Sequence, residues 1–140
     1  MSKNAHLLPE QERFQTFING DSPLGTGRFW LVNMLRFKED GGAEEYRKYD
    51  EAVQPLMEAV GGKCIFRLFD HVRTVVNGGG LVPEWNGIFI GEYPSPAAFL
   101  EFSTSDAYKA AHKHRAAALE KTEMYAVDGF WMKNDGFGCH

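Results

Sequence analysis

An α+β domain built on an antiparallel sheet is what this sequence predicts, and three observations carry the prediction. Phe29 to Phe37 reads FWLVNMLRF, a period-two run whose two faces are both largely apolar. Ala43 to Val60 instead places Tyr46, Tyr49, Val53, Met57 and Val60 at helical spacing. The elements then follow one another as strand–helix–strand–strand–helix–strand. That is the split βαβ order of a ferredoxin-like protomer, with both helices on one face of the sheet.

Taken in order, Pro9 opens an extra N-terminal helix, with Glu10 and Glu12 in its first turn and Phe14, Phe17 and Ile18 on one face. Asn19-Gly20-Asp21 ends it, and a loop runs to Gly27. Phe29–Phe37 follows as a central strand, with Phe29, Leu31, Asn33, Leu35 and Phe37 on one face and Trp30, Val32, Met34 and Arg36 on the other. Pro55 lies inside the Ala43–Val60 helix, so a kink or loosened turn is expected near Ala52. Gly61-Gly62 stops that helix.

The second strand is expected over Lys63 to His71, with Ile65, Arg67, Phe69 and His71 on one face and a continuation toward Val76. It forms a hairpin with a third strand, Asn86 to Tyr93, where Ile88, Ile90 and Glu92 alternate with Phe89, Gly91 and Tyr93. Pro94-Ser95-Pro96 leads into a short helix through Phe99 and Phe102. Ser105 caps the next helix, whose inner stripe is Tyr108, Ala111, His112, Arg115, Ala118 and Leu119. A last strand is placed at Tyr125 to Lys133, ahead of a tail from Asn134 to His140. The division is therefore one domain over 1–140, with a helix and loop at 1–28, a ferredoxin-like core at 29–133 and the tail.

Composition bounds the function. With 140 residues and 44% hydrophobic content the chain buries about two-thirds of its unfolded surface. Lys plus Arg number 15 against 19 Asp plus Glu, a formal charge of −4, which argues against nucleic acid or an anionic membrane as the main partner. No signal-peptide apolar run follows the N-terminus, and no stretch is long and apolar enough to span a bilayer, so a cytoplasmic protein is the expectation. Cys64 and Cys139 are too few for a disulfide framework.

A sheet with helices on one face only leaves its other face bare. Because the first strand is apolar on both faces, the bare side predicts an interface. Two sheets meeting face to face would cover it, giving a homodimer of the dimeric α/β-barrel kind.

The segments AEEYRKYDEAVQPLMEAVGGKCIFR and IFIGEYPSPAAFLEFSTSDAYKAAHKHRAAA resemble a bacterial domain-of-unknown-function family, number 1330, within the dimeric α/β-barrel superfamily. The matching positions are Tyr46, Tyr49, Val53, Pro55 and Gly61-Gly62 ahead of Arg67. They continue with Glu92-Tyr93-Pro94-Ser95, Ser105-Asp106-Ala107-Tyr108, Arg115 and Gly129, and span about residues 29 to 132. The resemblance implies a ferredoxin-like protomer and a face-to-face dimer. It does not select a chemistry, since superfamily relatives include cofactor-independent monooxygenases, lactone isomerases, haem-processing enzymes and non-catalytic binders. The N-terminal helix, the longer hairpin from Asp70 to Trp85 and the tail depart from the family pattern.

Polar residues at apolar element positions mark the candidate site. Arg115 and His112 fall seven and four residues after Tyr108, on the helix face expected to meet the sheet. Arg115 reads either as the cationic end of a pocket or as an ion pair with Glu92 or Asp128 that fixes the helix. Asn33 interrupts an apolar strand face, to orient a ligand or to satisfy a neighbouring backbone group. Arg67 is a second candidate for a ligand's charge, and His71 on the same face reads as a base or as a solvated histidine. Glu92 reads as a general base or as the partner of Arg115 or Arg67.

No metal is expected: His112 and His114 diverge by about 200° on a helix, where paired ligands want a four-residue spacing. Gly78-Gly79-Gly80 is not followed by the Lys-Ser/Thr of a phosphate loop, and no dinucleotide fingerprint occurs, so no cofactor is expected either. Trp30, Trp85, Trp131, Tyr93, Phe66 and Phe69 line a pocket or fill core and interface.

The function that follows is a small-molecule-binding protein, or a cofactor-independent enzyme of monooxygenase or isomerase type, for a small, partly apolar, anionic or enolisable ligand. Arg115, Arg67, Asn33 and Tyr108 would bind, and His112 or Glu92 would move a proton. The alternative is a non-catalytic homo-oligomeric interaction module with no ligand.

Overall fold

The computed structural model describes residues 27–69, 72–76 and 85–128. The expected N-terminal helix, His71, Trp131 and the tail lie outside them. Four strands, β1 (Phe29–Phe37), β2 (Lys63–Phe69), β3 (Gly87–Tyr93) and β4 (Leu119–Asp128), form one antiparallel sheet in the order β2-β3-β1-β4. Helices α1 (Gly42–Ala59), α2 (Pro96–Ser103) and α3 (Asp106–Ala118) complete the ferredoxin-like βαββ(αα)β topology. None of these helices is long and apolar enough to cross a membrane.

The alternation read in β1 is the alternation observed. Phe29, Leu31, Asn33, Leu35 and Phe37 are buried, while Trp30, Val32, Met34 and Arg36 are half-buried. The buried set meets Tyr46, Tyr49, Val53 and Met57 of α1 and Phe99 and Phe102 of α2 in one core. Gly42 opens α1 where that helix crosses the end of α3. A Cβ there would stand 2.6 Å from the carbonyl oxygen of Ala118, so only glycine allows the approach. At the far end Gly61 takes φ +89°, the left-handed stop expected of it. Pro55 sits within α1, which is assigned as one continuous helix from Gly42 to Ala59.

Two helix starts are fixed by serine. Ser95 accepts from the Ala98 amide at 3.1 Å with Pro96 in the first turn, and Ser105 accepts from the Tyr108 amide at 3.1 Å. The second cap sets the rotation of α3 and thereby the direction of Tyr108, His112 and Arg115.

Two boundaries differ from those read in the sequence. β2 ends at Phe69, residues 72–76 lie outside any strand, and a bulge between Cys64 and Phe66 interrupts the simple alternation. β4 begins at Leu119, directly off α3, rather than at Tyr125. Its pairing with β1 runs from Phe37↔Leu119 to Phe29↔Asp128. The charged run Glu120-Lys121-Thr122-Glu123 looks like a loop because this stretch is exposed and takes its stability from backbone pairing with β1.

Candidate functional site

Between the sheet and the helices lies a cavity of about 220 Å³. That is below the roughly 300 Å³ at which pockets for drug-sized ligands begin, so only a small molecule would fit. Its apolar wall includes Leu31, Val53, Met57, Phe89, Phe99 and Phe102. Its polar wall comes from α1 and α3: Tyr46, Tyr49 and Asp50 on one, Tyr108, His112 and Arg115 on the other. Helical spacing aligns each set on a single stripe.

Among the described residues Arg115 is held by neutral groups, the Tyr46 hydroxyl included. Its Nη2 donates to Asn33 Oδ1 and to Thr122 Oγ1, each at 3.3 Å. Both acceptors are themselves anchored to the sheet. Asn33 Nδ2 donates to the carbonyls of Leu31 (3.4 Å) and Phe89 (3.3 Å), and Thr122 Oγ1 donates to that of Met34 at 3.0 Å. The guanidinium also lies 6.0 Å from the centre of the Tyr49 ring, a cation–π contact worth about 0.5–1 kcal/mol. No carboxylate among the described residues comes within 4.0 Å of it.

The tyrosines are donors at this end. Tyr49 and Tyr108 hydroxyls lie 3.0 Å apart, so one proton sits between them and the other remains free to reach a ligand. Burial pushes Tyr46 up to about 12, partly offset by the Arg115 charge, and pushes Tyr49 well above the ordinary tyrosine value. These phenols stay protonated at neutral pH. Burial works against the charge of Arg115, but the surrounding hydroxyls of Tyr46, Tyr49 and Tyr108 outweigh it and raise its pKa. His112, on an exposed position at the mouth, is shifted down by burial and then by Arg115, which leaves the imidazole neutral near pH 7.

Of the residues singled out in the sequence, Asn33, Tyr108, His112 and Arg115 come together here. Asn33 spends both Nδ2 hydrogens on backbone carbonyls and accepts from Arg115 at Oδ1, a geometry that positions Arg115.

Arg67 lies apart. It forms a two-point ion pair with Asp50 (Nε to Oδ2 3.1 Å, Nη2 to Oδ1 3.3 Å) and donates to Gln54 at 2.8 Å, which ties β2 to α1. Burial raises the Asp50 pKa, and the Arg67 charge opposes that rise.

Glu92 pairs with neither Arg115 nor Arg67, and the side chain of Asp128, the other partner offered for Arg115, lies outside what the structure describes. Glu92 accepts from Trp30 Nε1 at 2.9 Å and lies 4.0 Å from Arg28 and 3.8 Å from Lys63, on the opposite face of the sheet. The reason is strand alternation: Glu92 shares its side with Ile88 and Ile90, whereas Phe89 and Tyr93 face the cavity. Of the aromatics proposed to line a pocket, Tyr93 does so; Trp30 and Phe66 lie on the other face. No metal-binding cluster occurs among the described residues, and His114 instead contacts Glu45 at 2.6 Å.

Tyr46, Tyr49, Asp50, Thr122 and Met124 were not singled out as site residues. Tyrosines where a helix stripe would ordinarily carry Leu or Val were the available signal for the first two.

Residues 29–130 match the family described as Domain of unknown function (DUF1330). The chain belongs to this family. A DUF1330 chain of this kind is similar to RPA0582, a protein of unknown function from Rhodopseudomonas palustris. That structure has 30% identity and a TM-score of 0.68, covering 84% of this chain and 92% of that one. Its methylated form gives 30% identity and a TM-score of 0.72, covering 90% and 94%. A NIPSNAP domain protein from Burkholderia xenovorans shares 9% identity at a TM-score of 0.51 over 71% of this chain and 91% of that one. That likeness is one of fold. No curated protein matches the chain.

Proposed function

We propose that this DUF1330 chain binds a small, partly apolar ligand whose polar end is anionic or enolisable, in the cavity between sheet and helices. The observation that carries the reading is Arg115: a cation fixed by Asn33 and Thr122, lining an aromatic cavity, with no carboxylate beside it among the described residues. A half-buried guanidinium with five N–H donors that meets Asn33, Thr122 and the Tyr46 hydroxyl still retains N–H donors for an anion. The free proton of the Tyr49–Tyr108 pair adds a donor at the same end. For an enolisable ligand, neutral His112 is the group placed to accept the proton, while the oxygen that gains charge rests on the donors.

Two copies pair, in this reading, through the sheet face that carries Trp30, Val32, Met34, Ile88 and Ile90, all half-buried in the single chain. The interaction-module alternative leaves no pocket to fill, and the cavity weighs against it.

Thermal unfolding across a panel of small aryl anions and their neutral amides tests the reading. Anions are expected to raise the melting temperature, by up to about 2.7 kcal/mol of stabilisation at a hundredfold excess over Kd. Arg115→Gln is expected to abolish the effect. Equal stabilisation by neutral analogues, or an unchanged response in the variant, would remove the proposal.

A further inference from the structure

The donor geometry of Arg115 points to a more specific ligand class, and we infer that the cavity selects an anion whose charge sits on a single oxygen, an enolate or phenolate, over a carboxylate. This rests on the anion-site reading above. A guanidinium grips a carboxylate through two parallel N–H bonds from one edge, either Nε with Nη2 or Nη1 with Nη2. Both edges share Nη2. Here Nη2, with two hydrogens, meets two acceptors, Asn33 Oδ1 and Thr122 Oγ1. Neither edge therefore presents a complete fork.

Tyr46 takes a further hydrogen bond from the guanidinium, and the N–H groups left at Nε and Nη1 point away from one another, so a ligand oxygen meets one of them, together with the free phenolic proton of Tyr49 or Tyr108. One of these N–H groups and that phenolic O–H meeting on a single oxygen form an oxyanion hole, not a carboxylate clamp. The clamp holding Nη2 is part of the fold, because Asn33 and Thr122 are tied to the β1 carbonyls of Leu31 and Met34. Releasing Nη2 for a carboxylate would break that network. The small apolar chamber behind, with Leu31, Phe89 and Phe102 on its walls, accepts a single flat ring or a short branched chain.

Titration of the full chain with 4-nitrophenol and, separately, benzoate decides the matter. Phenolate absorbance reports the first, and its displacement reports the second. The phenolate is expected to bind at least about tenfold more tightly than benzoate. The bound phenol should ionise at lower pH than the free one, and Arg115→Gln should remove binding of both. Thr122→Val frees one Nη2 hydrogen and is expected to shift the ratio toward benzoate.

Benzoate bound as tightly as phenolate, with both lost in Arg115→Gln, overturns this inference and leaves the anion site standing. Binding of neither probe, or binding indifferent to Arg115→Gln, overturns the anion site and the inference together. If Arg115→Gln does not fold, Thr122→Val decides alone: an unchanged phenolate-to-benzoate ratio overturns the single-oxygen assignment.

Discussion

The two faces of the sheet are built from the same strands, yet they end in different states. On the helix side of β1, Phe29 and Leu35 are 1% and 0% exposed and contribute to one closed aromatic core. On the other side Trp30, Val32 and Met34 are only half-buried, and no helix among the described residues covers them. Polar groups divide the same way. Asn33 on the inner face is locked to backbone and to Arg115, while Glu92 on the outer face sits within reach of Arg28 and Lys63 at the sheet's rim. Among the described residues one face is covered by helices, and the other presents the apolar area through which two copies are proposed to pair. The difference separates the two sides of one β-alternation, a cavity inside and, in the proposed reading, pairing outside.

The strongest way to break the comparison is to truncate an inner residue. Phe29→Ala should cost about 3–5 kcal/mol in denaturant unfolding, because its ring stacks on Tyr93 at 5.6 Å and meets Phe99 edge-on at 6.4 Å. A loss below about 1 kcal/mol would mean that the inner face is not the core.

Val32→Lys probes the outer face and is expected to act on assembly instead. Sedimentation should show the parent as the proposed dimer and the variant as a monomer whose own stability changes by less than about 1 kcal/mol. A persistent dimer would place the partner elsewhere.

The smallest effect concerns the cavity mouth. In an NMR titration the His112 ring should protonate below the ordinary histidine value of 6.5, since burial and then Arg115 disfavour its charged form. Arg115→Gln should move that titration upward, and an unmoved one would separate His112 electrostatically from the site.

Much of this arrangement was readable in the sequence. Alternation in FWLVNMLRF gave the two faces of β1, and the Tyr46–Met57 spacing gave the stripe of α1. Ser105 placed Tyr108, His112 and Arg115 on one side of α3. Glu92 was assigned to the correct strand side as well, but which side of the sheet the helices cover is a long-range property. The expected pairing with Arg115 failed there. Thr122 escaped notice because its strand opens with a charged run whose pairing partner, β1, lies more than eighty residues away. Arg67 carried the same charge as Arg115, and only the approach of Asp50 from α1 distinguishes them.

The sequence by itself determined the order of elements, the caps and the residues able to face inward, because periodicity and capping are local consequences of side-chain geometry. Tertiary structure alone decided which of two arginines meets a carboxylate and which is left to neutral acceptors. That choice depends on atoms brought within a few ångströms by strand register and helix docking, which no local pattern encodes.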